Sequence, residues 1–141
     1  MKKIILLLAV AALMLPAIAS DFPKGSPKFV TDYKAALEQS KKEDKPVILV
    51  FSAPWCPPCQ STKKNVYPSK EVTALHDKFV WAYLDVDEEP NAAAGKKYGV
   101  QGIPHVQFLD AKGKDVGNQV GSTTAGDFAT TLNAVLKKAG N

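Results

Sequence analysis

The sequence predicts an α/β fold in which a central mixed sheet of four or five strands is flanked by helices. Apolar, β-branched runs at residues 47–51 and 79–84 are separated by helix-forming residues, so these two strands are expected to be parallel. Residues 105–109 and 115–120 are joined by a turn at residues 110–113, so they are expected to pair antiparallel. Both kinds of pairing in one sheet indicate a mixed sheet.

Two helices and a short capped segment are predicted around the first strand. Helical spacing of apolar residues predicts a helix over residues 31–42, which residues 43–46 end. Residues 60–66 contain good helix formers, so a helix is expected to start inside the preceding cysteine motif. Ser69 is expected to cap a helix over residues 70–78, with an apolar stripe of Val72, Leu75 and Phe79.

Two further helices are predicted in the second half of the chain. Residues 90–98 are rich in alanine and are ended by Gly99. Thr123 or Thr124 is expected to cap the last helix, which Gly140 ends. The core-facing residues of that helix are predicted to be Phe128, Leu132, Val135 and Leu136.

Residues 1–19 are predicted to be a secretory signal peptide. They contain a basic head, an apolar run at residues 4–15, and small residues at positions 17 and 19, where a signal peptidase selects them. An uncleaved membrane anchor is the alternative, but the run is shorter than the ~20 apolar residues that span a bilayer. The remaining domain, residues 20–141, is therefore expected to be exported without a stable membrane anchor.

The charge of the chain argues against nucleic-acid binding. The 141 residues include 18 basic residues, all of them lysine, and 14 acidic residues. Without Lys2 and Lys3 of the predicted signal peptide, 16 basic residues remain, which is close to balance. The absence of arginine also removes the planar side chain that binds phosphate in a bidentate manner.

The chemistry of the chain is concentrated in its two cysteines, Cys56 and Cys59. A disulfide between them would close almost no loop and would add little stability. At a helix N-terminus the pKa of the Cys56 thiol is lowered, and Cys59 lies close enough to react with it. We therefore predict a redox-active Cys56–Cys59 disulfide, with no other cofactor, in which Cys56 attacks and Cys59 resolves.

Metal binding is the alternative use of the two cysteines. Only His76 and His105 could add to them, whereas structural metal sites usually have four ligands, so no metal is predicted. His76 is expected on a helix surface. His105 is predicted to tune Cys56 or to transfer protons, and the alternative for it is a half-buried strand residue.

The sequence resembles the thioredoxin superfamily over nearly all of residues 20–141. The motifs that carry the resemblance are Trp55-Cys56-Pro57-Pro58-Cys59 after a buried strand, and Tyr98-Gly99-Val100 through Gly102-Ile103-Pro104, which ends 45 residues after Cys59. The resemblance implies a thioredoxin fold and a cis peptide bond before Pro104. It also implies that Trp55, Ile103 and Pro104 contact the substrate.

The chain departs from the thioredoxin pattern at two positions. Val50 stands six residues before Cys56, where these proteins usually carry a buried acid, and Tyr83 lies near the place of a companion lysine. The proton acceptor for Cys59 therefore stays open between water, His105 and a group that the sequence does not identify.

The two residues between the cysteines favour a reducing pair. Pro57 and Pro58 bring no charge and no N–H donor, so the thiolate is expected to be less stabilised than in strongly oxidising relatives, which often have histidine there. We therefore predict that protein disulfides are reduced in the cell envelope, with a membrane electron-transfer partner. The location is predicted to be the periplasm, with secretion as the alternative. Protein-folding oxidation or isomerisation, and a metal-binding or assembly module, are the alternative functions.

Overall fold

The computed structural model describes residues 21–140 and contains one mixed sheet of five strands. The predicted signal peptide at residues 1–19 lies outside the described residues. The strands are β1 (Phe29–Val30), β2 (Val47–Ser52), β3 (Val80–Asp85), β4 (His105–Leu109) and β5 (Asp115–Val120).

The sheet has the strand order β1-β3-β2-β4-β5. β2 pairs parallel with β3 and antiparallel with β4, and β5 pairs antiparallel with β4. The predicted mixed sheet is therefore confirmed, with β2 at its centre.

Five α-helices surround the sheet within residues 21–140. They are α1 (Tyr33–Glu43), α2 (Pro57–Asn65), α3 (Lys70–Thr73), α4 (Asn91–Lys97) and α5 (Ala125–Lys138). None of these helices is long and apolar enough to cross a bilayer.

Strand β2 is buried on both faces, as its continuous apolar sequence predicts. Alternate side chains point to opposite faces, so Ile48 and Val50 pack into a core with α3 and α5. Leu49 and Phe51 pack into a second core with α1 and α4. The centre of the sheet is thus fixed from both sides, directly before the cysteine motif.

The prediction of a single helix over residues 70–78 is wrong. Helix α3 ends at Thr73, and a 3-10 turn over His76–Lys78 follows it. The chain must straighten there because the N–H of Val80 donates to the carbonyl of Pro46 at 2.9 Å to begin β3. The predicted apolar stripe is nevertheless buried, at Val72, Leu75 and Phe79.

One predicted helix cap is wrong and another is confirmed. The Ser69 hydroxyl does not cap α3 but donates to the carbonyl of Val66 at 2.6 Å. Thr124, one of the two predicted candidates, caps α5 by accepting from the N–H of Asp127 at 3.1 Å. Helix α1 starts at Tyr33 because the Asp32 carboxylate accepts from the N–H of Ala35.

Strand β1 was not predicted from the sequence. Its two residues pair with Trp81 and Ala82 of β3. The rings of Phe22, Phe29 and Tyr83 form one cluster, in which the Phe29 centroid lies 4.6 Å from that of Phe22 and 5.4 Å from that of Tyr83. The segment before α1 therefore packs against the edge of the sheet.

Candidate active site

The cysteine motif leaves the end of β2 and begins helix α2. Cys56 is the N-cap residue, and Pro57 and Pro58 occupy the first two helical positions, where a missing N–H costs no hydrogen bond. The N–H of Cys59 points at the Cys56 sulfur, with N and Sγ 3.3 Å apart. The prediction that a helix starts inside the motif is confirmed, and the Cys56 sulfur lies at the positive end of that helix.

Cys56 and Cys59 form a disulfide bond, with Cα atoms 5.3 Å apart. Both cysteines are buried, whereas the intervening prolines are exposed. Trp55 is 65% exposed, and its indole N–H donates to the Asp87 carboxylate at 2.7 Å. The disulfide is therefore held just below a surface that an aromatic ring flanks.

The loop before β4 packs against this disulfide. The Ile103–Pro104 bond is cis, as the resemblance implies. The carbonyl oxygen of Ile103 lies 3.8 Å from Cys56 Sγ, and the Ile103 side chain packs beside Ala53 and the cysteines. The structure thus brings together the two segments that carry the resemblance, while the substrate contacts of Trp55, Ile103 and Pro104 stay a prediction.

Sequence analysis missed one exposed apolar residue near this loop. Val120 is 58% exposed at the end of β5, opposite His105 in the register. The next residue, Gly121, donates its N–H to the carbonyl of Pro104 at 2.8 Å. Val120 therefore lies at the same end of the sheet as Pro104, a position that only the β4–β5 register reveals.

The two histidines lie in different surroundings. His105 is buried on β4, with Nε2 3.2 Å from Gln107 Oε1 and its ring against Phe51. Its predicted effect on Cys56 stays a prediction. The expectation that His76 lies on a helix surface is wrong: it is half-buried in a 3-10 turn, and Nε2 lies 2.8 Å from the carbonyl oxygen of Tyr67.

His76 lies before β3 and the cysteines follow β2, which is parallel to β3, so these groups occur at opposite ends of the sheet. In the part of the chain that the structure describes, no three His, Cys, Asp or Glu side chains are grouped as metal ligands would be.

Val50, in the position of the missing acid, is an apolar core residue directly opposite Tyr83 in the register. The Tyr83 hydroxyl lies 2.6 Å from the Ser52 hydroxyl, and the Gln60 side chain lines the same cleft. Burial raises the pKa of Tyr83 above its usual value, the polar side chains of Ser52 and Gln60 oppose that rise, and the Asp85 charge adds to it.

Ser52, Gln60 and Tyr83 line an open cleft of about 430 Å³ beside the motif. We call it the hydroxyl cleft and define it by six of its lining residues: Ser52, Gln60, Lys63, Tyr83, Asp85 and Glu88. Sequence analysis identified Tyr83 but not the other five, because they come from three segments that only the fold brings together.

The fold and the site together define a class of protein, the thioredoxin-like proteins. The chain belongs to the thioredoxin-like domain family, whose model matches residues 33–136. The enzyme class that this fold and disulfide define is thiol–disulfide oxidoreductase.

Relatives of known sequence include the chloroplastic thioredoxin-like protein HCF164 of Arabidopsis thaliana. The two are 32% identical over 98 residues, which cover 70% of this chain and 37% of that protein. The thiol:disulfide interchange protein DsbD of Cronobacter sakazakii is 35% identical over 114 residues, which cover 77% of this chain and 19% of DsbD. The chain thus spans well under half the length of these relatives.

Solved structures show the same fold. A thioredoxin from Thermus thermophilus superposes with a TM-score of 0.71 at 29% identity, covering 78% of this chain and 88% of that one. The oxidised C-terminal domain of DsbD from Neisseria meningitidis gives a TM-score of 0.64 at 29% identity, with coverage of 75% and 97%. The thioredoxin fold predicted from the sequence is confirmed.

Proposed function

We propose that this chain reduces protein disulfides in the cell envelope, with Cys56 as the attacking thiol and Cys59 as the resolving thiol. The observation that carries the proposal is the position of Cys56 as the N-cap of α2, beside the Ile103–Pro104 loop. The N-terminal N–H groups of the helix favour a thiolate at that position.

The reaction begins with both cysteines reduced. The Cys56 thiolate attacks one sulfur of a substrate disulfide, forms a mixed disulfide, and releases the other substrate sulfur as a thiolate that takes up a proton. The Cys59 thiolate then attacks Cys56 Sγ, forms the Cys56–Cys59 disulfide, and releases the second substrate thiol. Two electrons pass to the substrate, and the pair is left in the oxidised form described here.

The surface around the disulfide suits a polypeptide substrate. Exposed Trp55 lies beside Cys56, and exposed Val120 lies at the Pro104 end of the sheet. Within residues 21–140 these two are the only large apolar side chains classed as exposed. Exposed apolar side chains at the end of the sheet that carries the disulfide favour contact with a polypeptide.

The reducing direction is supported by the residues between the cysteines. Pro57 and Pro58 provide neither charge nor N–H to a Cys56 thiolate. A less stabilised thiolate makes the dithiol a better reductant, because the disulfide is then relatively favoured. No cofactor besides the disulfide is proposed.

The location and the electron donor follow from the predicted signal peptide. An exported reductase needs electrons from across a membrane, so we propose a membrane electron-transfer partner and a periplasmic location. The relatives named as thiol:disulfide interchange proteins support thiol–disulfide exchange as the reaction.

The reduction potential of the Cys56–Cys59 pair tests the direction. It is measured by equilibrating the protein with glutathione buffers and quantifying free thiols. A value near the ~−270 mV of a thioredoxin supports reduction, whereas a value near the ~−120 mV of a strong periplasmic oxidant would favour the alternative function, protein oxidation.

The roles of the two cysteines are tested separately by serine variants. Cys56→Ser is expected to abolish reduction of an insulin disulfide, while Cys59→Ser is expected to accumulate a mixed disulfide with the substrate. Full exchange activity in Cys56→Ser would contradict the assignment of the attacking thiol.

A further inference from the structure

The hydroxyl cleft contains a pair of hydrogen-bonded hydroxyls that the exchange steps above do not use. The Ser52 side chain is fully buried at the end of β2, and its hydroxyl lies 2.6 Å from that of Tyr83. The cleft is open, and its volume of about 430 Å³ is enough for several water molecules. Buried hydroxyls that lead to a water-accessible cleft form a path along which protons can move.

The Ser52–Tyr83 hydroxyl pair borders the Cys59 end of the cysteine motif. Gln60 follows Cys59 directly, and its Nε2 donates to the carbonyl of Ala53 at 3.0 Å. The Gln60 side chain lines the cleft together with Tyr83. Ala53, in turn, follows Ser52 and packs against both cysteines.

A carboxylate lines the same cleft, two register pairs further along the sheet than the apolar Val50. Asp85 is the register partner of Ser52, just as Tyr83 is the partner of Val50. Its Oδ1 accepts the N–H of Asp87 at 2.9 Å, which holds the side chain at the end of β3. Position 50 carries valine in place of the usual acid, but a carboxylate is present in the cleft on the neighbouring strand β3.

We propose that Asp85 is the proton acceptor for Cys59, and that the proton reaches it through the Ser52–Tyr83 hydroxyl pair and water in the cleft. The inference rests on the proposed exchange function and adds a residue to its second step. As Cys59 attacks Cys56, the Cys59 thiol gives its proton to the hydroxyl pair, which passes a proton to Asp85. The open cleft then returns that proton to solvent.

In this arrangement the Ser52 and Tyr83 hydroxyls pass the proton on, and the Asp85 carboxylate accepts it. Because burial raises the pKa of Tyr83, that hydroxyl keeps its own proton and can only exchange one for another. The other charged groups of the cleft are Asp21, Lys63 and Glu88. The ammonium of Lys63 lies 4.8 Å from the centre of the Phe22 ring and 5.5 Å from that of the Tyr83 ring, so it places a positive charge beside the relay tyrosine.

The second exchange step can be timed separately from the first. Fully reduced protein is mixed with an equal amount of dithiobis-nitrobenzoate, a coloured-thiol disulfide, over a range of pH. The first release of nitrothiobenzoate reports attack by Cys56, and the second reports resolution by Cys59. We expect Asp85→Asn to slow the second release about tenfold at neutral pH and to leave the first unchanged.

The effect should depend on pH as a proton-transfer defect does. The difference from the unmodified chain should shrink as the pH rises, because hydroxide that enters the open cleft can then take the Cys59 proton without the carboxylate. Tyr83→Phe, which interrupts the relay and keeps Asp85, is expected to act in the same direction. Asp85→Asn retains a side-chain oxygen that can accept the N–H of Asp87, so the local fold should persist.

Two variants distinguish Asp85 from other carboxylates. Asp77→Asn removes an exposed carboxylate at the far end of the sheet and should change neither release. An unchanged second release in Asp85→Asn would overturn the inference. Equal slowing by Glu88→Gln would overturn it too, since the total charge of the cleft would then be responsible. If the unmodified chain gives no second release, the proposed exchange function itself fails.

Discussion

The indole N–H of Trp55 donates to the Asp87 carboxylate at 2.7 Å, and this bond joins the residue before Cys56 to the loop after β3. Trp55 is the most exposed large apolar side chain of residues 21–140, so few packing contacts fix the orientation of its ring. The hydrogen bond therefore sets how the aromatic ring is presented beside the disulfide.

We expect Asp87→Ala to raise the KM for a protein disulfide about fivefold with little change in kcat, because a free ring must be ordered on each binding event. The measurement is steady-state reduction of insulin. Asp87→Asn is the control, because its amide oxygen can still accept the indole N–H, and its KM should stay near that of the unmodified chain. Equal effects of the two variants would show that charge, and not ring position, is responsible.

Replacing Pro58 by histidine is expected to make the Cys56–Cys59 pair more oxidising. Pro58 occupies the second position of α2, close to the Cys56 cap, and a histidine there adds a donor and a positive charge that stabilise the thiolate. A tenfold gain in the stability of the dithiol form corresponds to about 30 mV for a two-electron couple. The potential is measured against glutathione.

Pro58→Ala separates the two contributions of that histidine. Alanine restores the backbone N–H but adds no charge, so its potential should lie between those of the unmodified chain and Pro58→His. A potential that does not move in either variant would mean that the intervening residues do not set the redox balance.

His105 is predicted to tune the pKa of the Cys56 thiol because it follows the Pro104 loop. We therefore expect His105→Leu to shift the pH midpoint of Cys56 alkylation in the reduced protein. Gln107→Leu is the matched control, since it removes the 3.2 Å partner of the His105 ring and keeps the imidazole. A lower melting temperature without any shift in the midpoint would assign His105 to packing alone.

The parts of the structure that the sequence predicted well depend on local signals. Strand β2 is a continuous apolar run, and the motif that follows it begins a helix with prolines in its first turn. The position of Pro104 came from a resemblance between motifs. None of these features requires knowledge of which strands are neighbours.

The missed features depend on contacts between distant residues. Strand β1 has two residues, too few to show any periodicity, and exists because Phe29 and Val30 pair with β3. Ser52 and Tyr83 are 31 residues apart and meet through the β2–β3 register. The helix expected over residues 70–78 breaks because the chain is drawn into β3, which overrides local propensity.

Tyr67 carries a buried hydroxyl for which we find no hydrogen-bond partner among the described residues. The residue is 1% exposed, and its ring packs against Phe29, Trp81 and Phe128. Leaving a buried hydroxyl unpaired costs about 1–3 kcal/mol, so removing it while keeping the ring should be favourable. We expect Tyr67→Phe to raise the free energy of unfolding by about 1 kcal/mol in urea denaturation at neutral pH.

Tyr33→Phe is the control for that measurement, because the Tyr33 hydroxyl shares a 2.9 Å hydrogen bond with that of Tyr98. Loss of that hydrogen bond should lower the free energy of unfolding by about 1 kcal/mol. If Tyr67→Phe destabilised the protein by a similar amount, the Tyr67 hydroxyl would have to be paired, contrary to its surroundings here.

The same hydroxyl should affect stability at alkaline pH. Burial raises the pKa of Tyr67 far above the value of about 10 that it has in the unfolded chain. Below about pH 10 the Tyr67 hydroxyl is protonated in both states, and its titration does not lower the free energy of unfolding. As the pH rises further, the free energy of unfolding falls, because only the unfolded chain then releases the proton. Tyr67→Phe should therefore make stability fall less steeply above pH 10. Part of the slope should remain, since burial raises the pKa values of Tyr83 and Tyr98 as well.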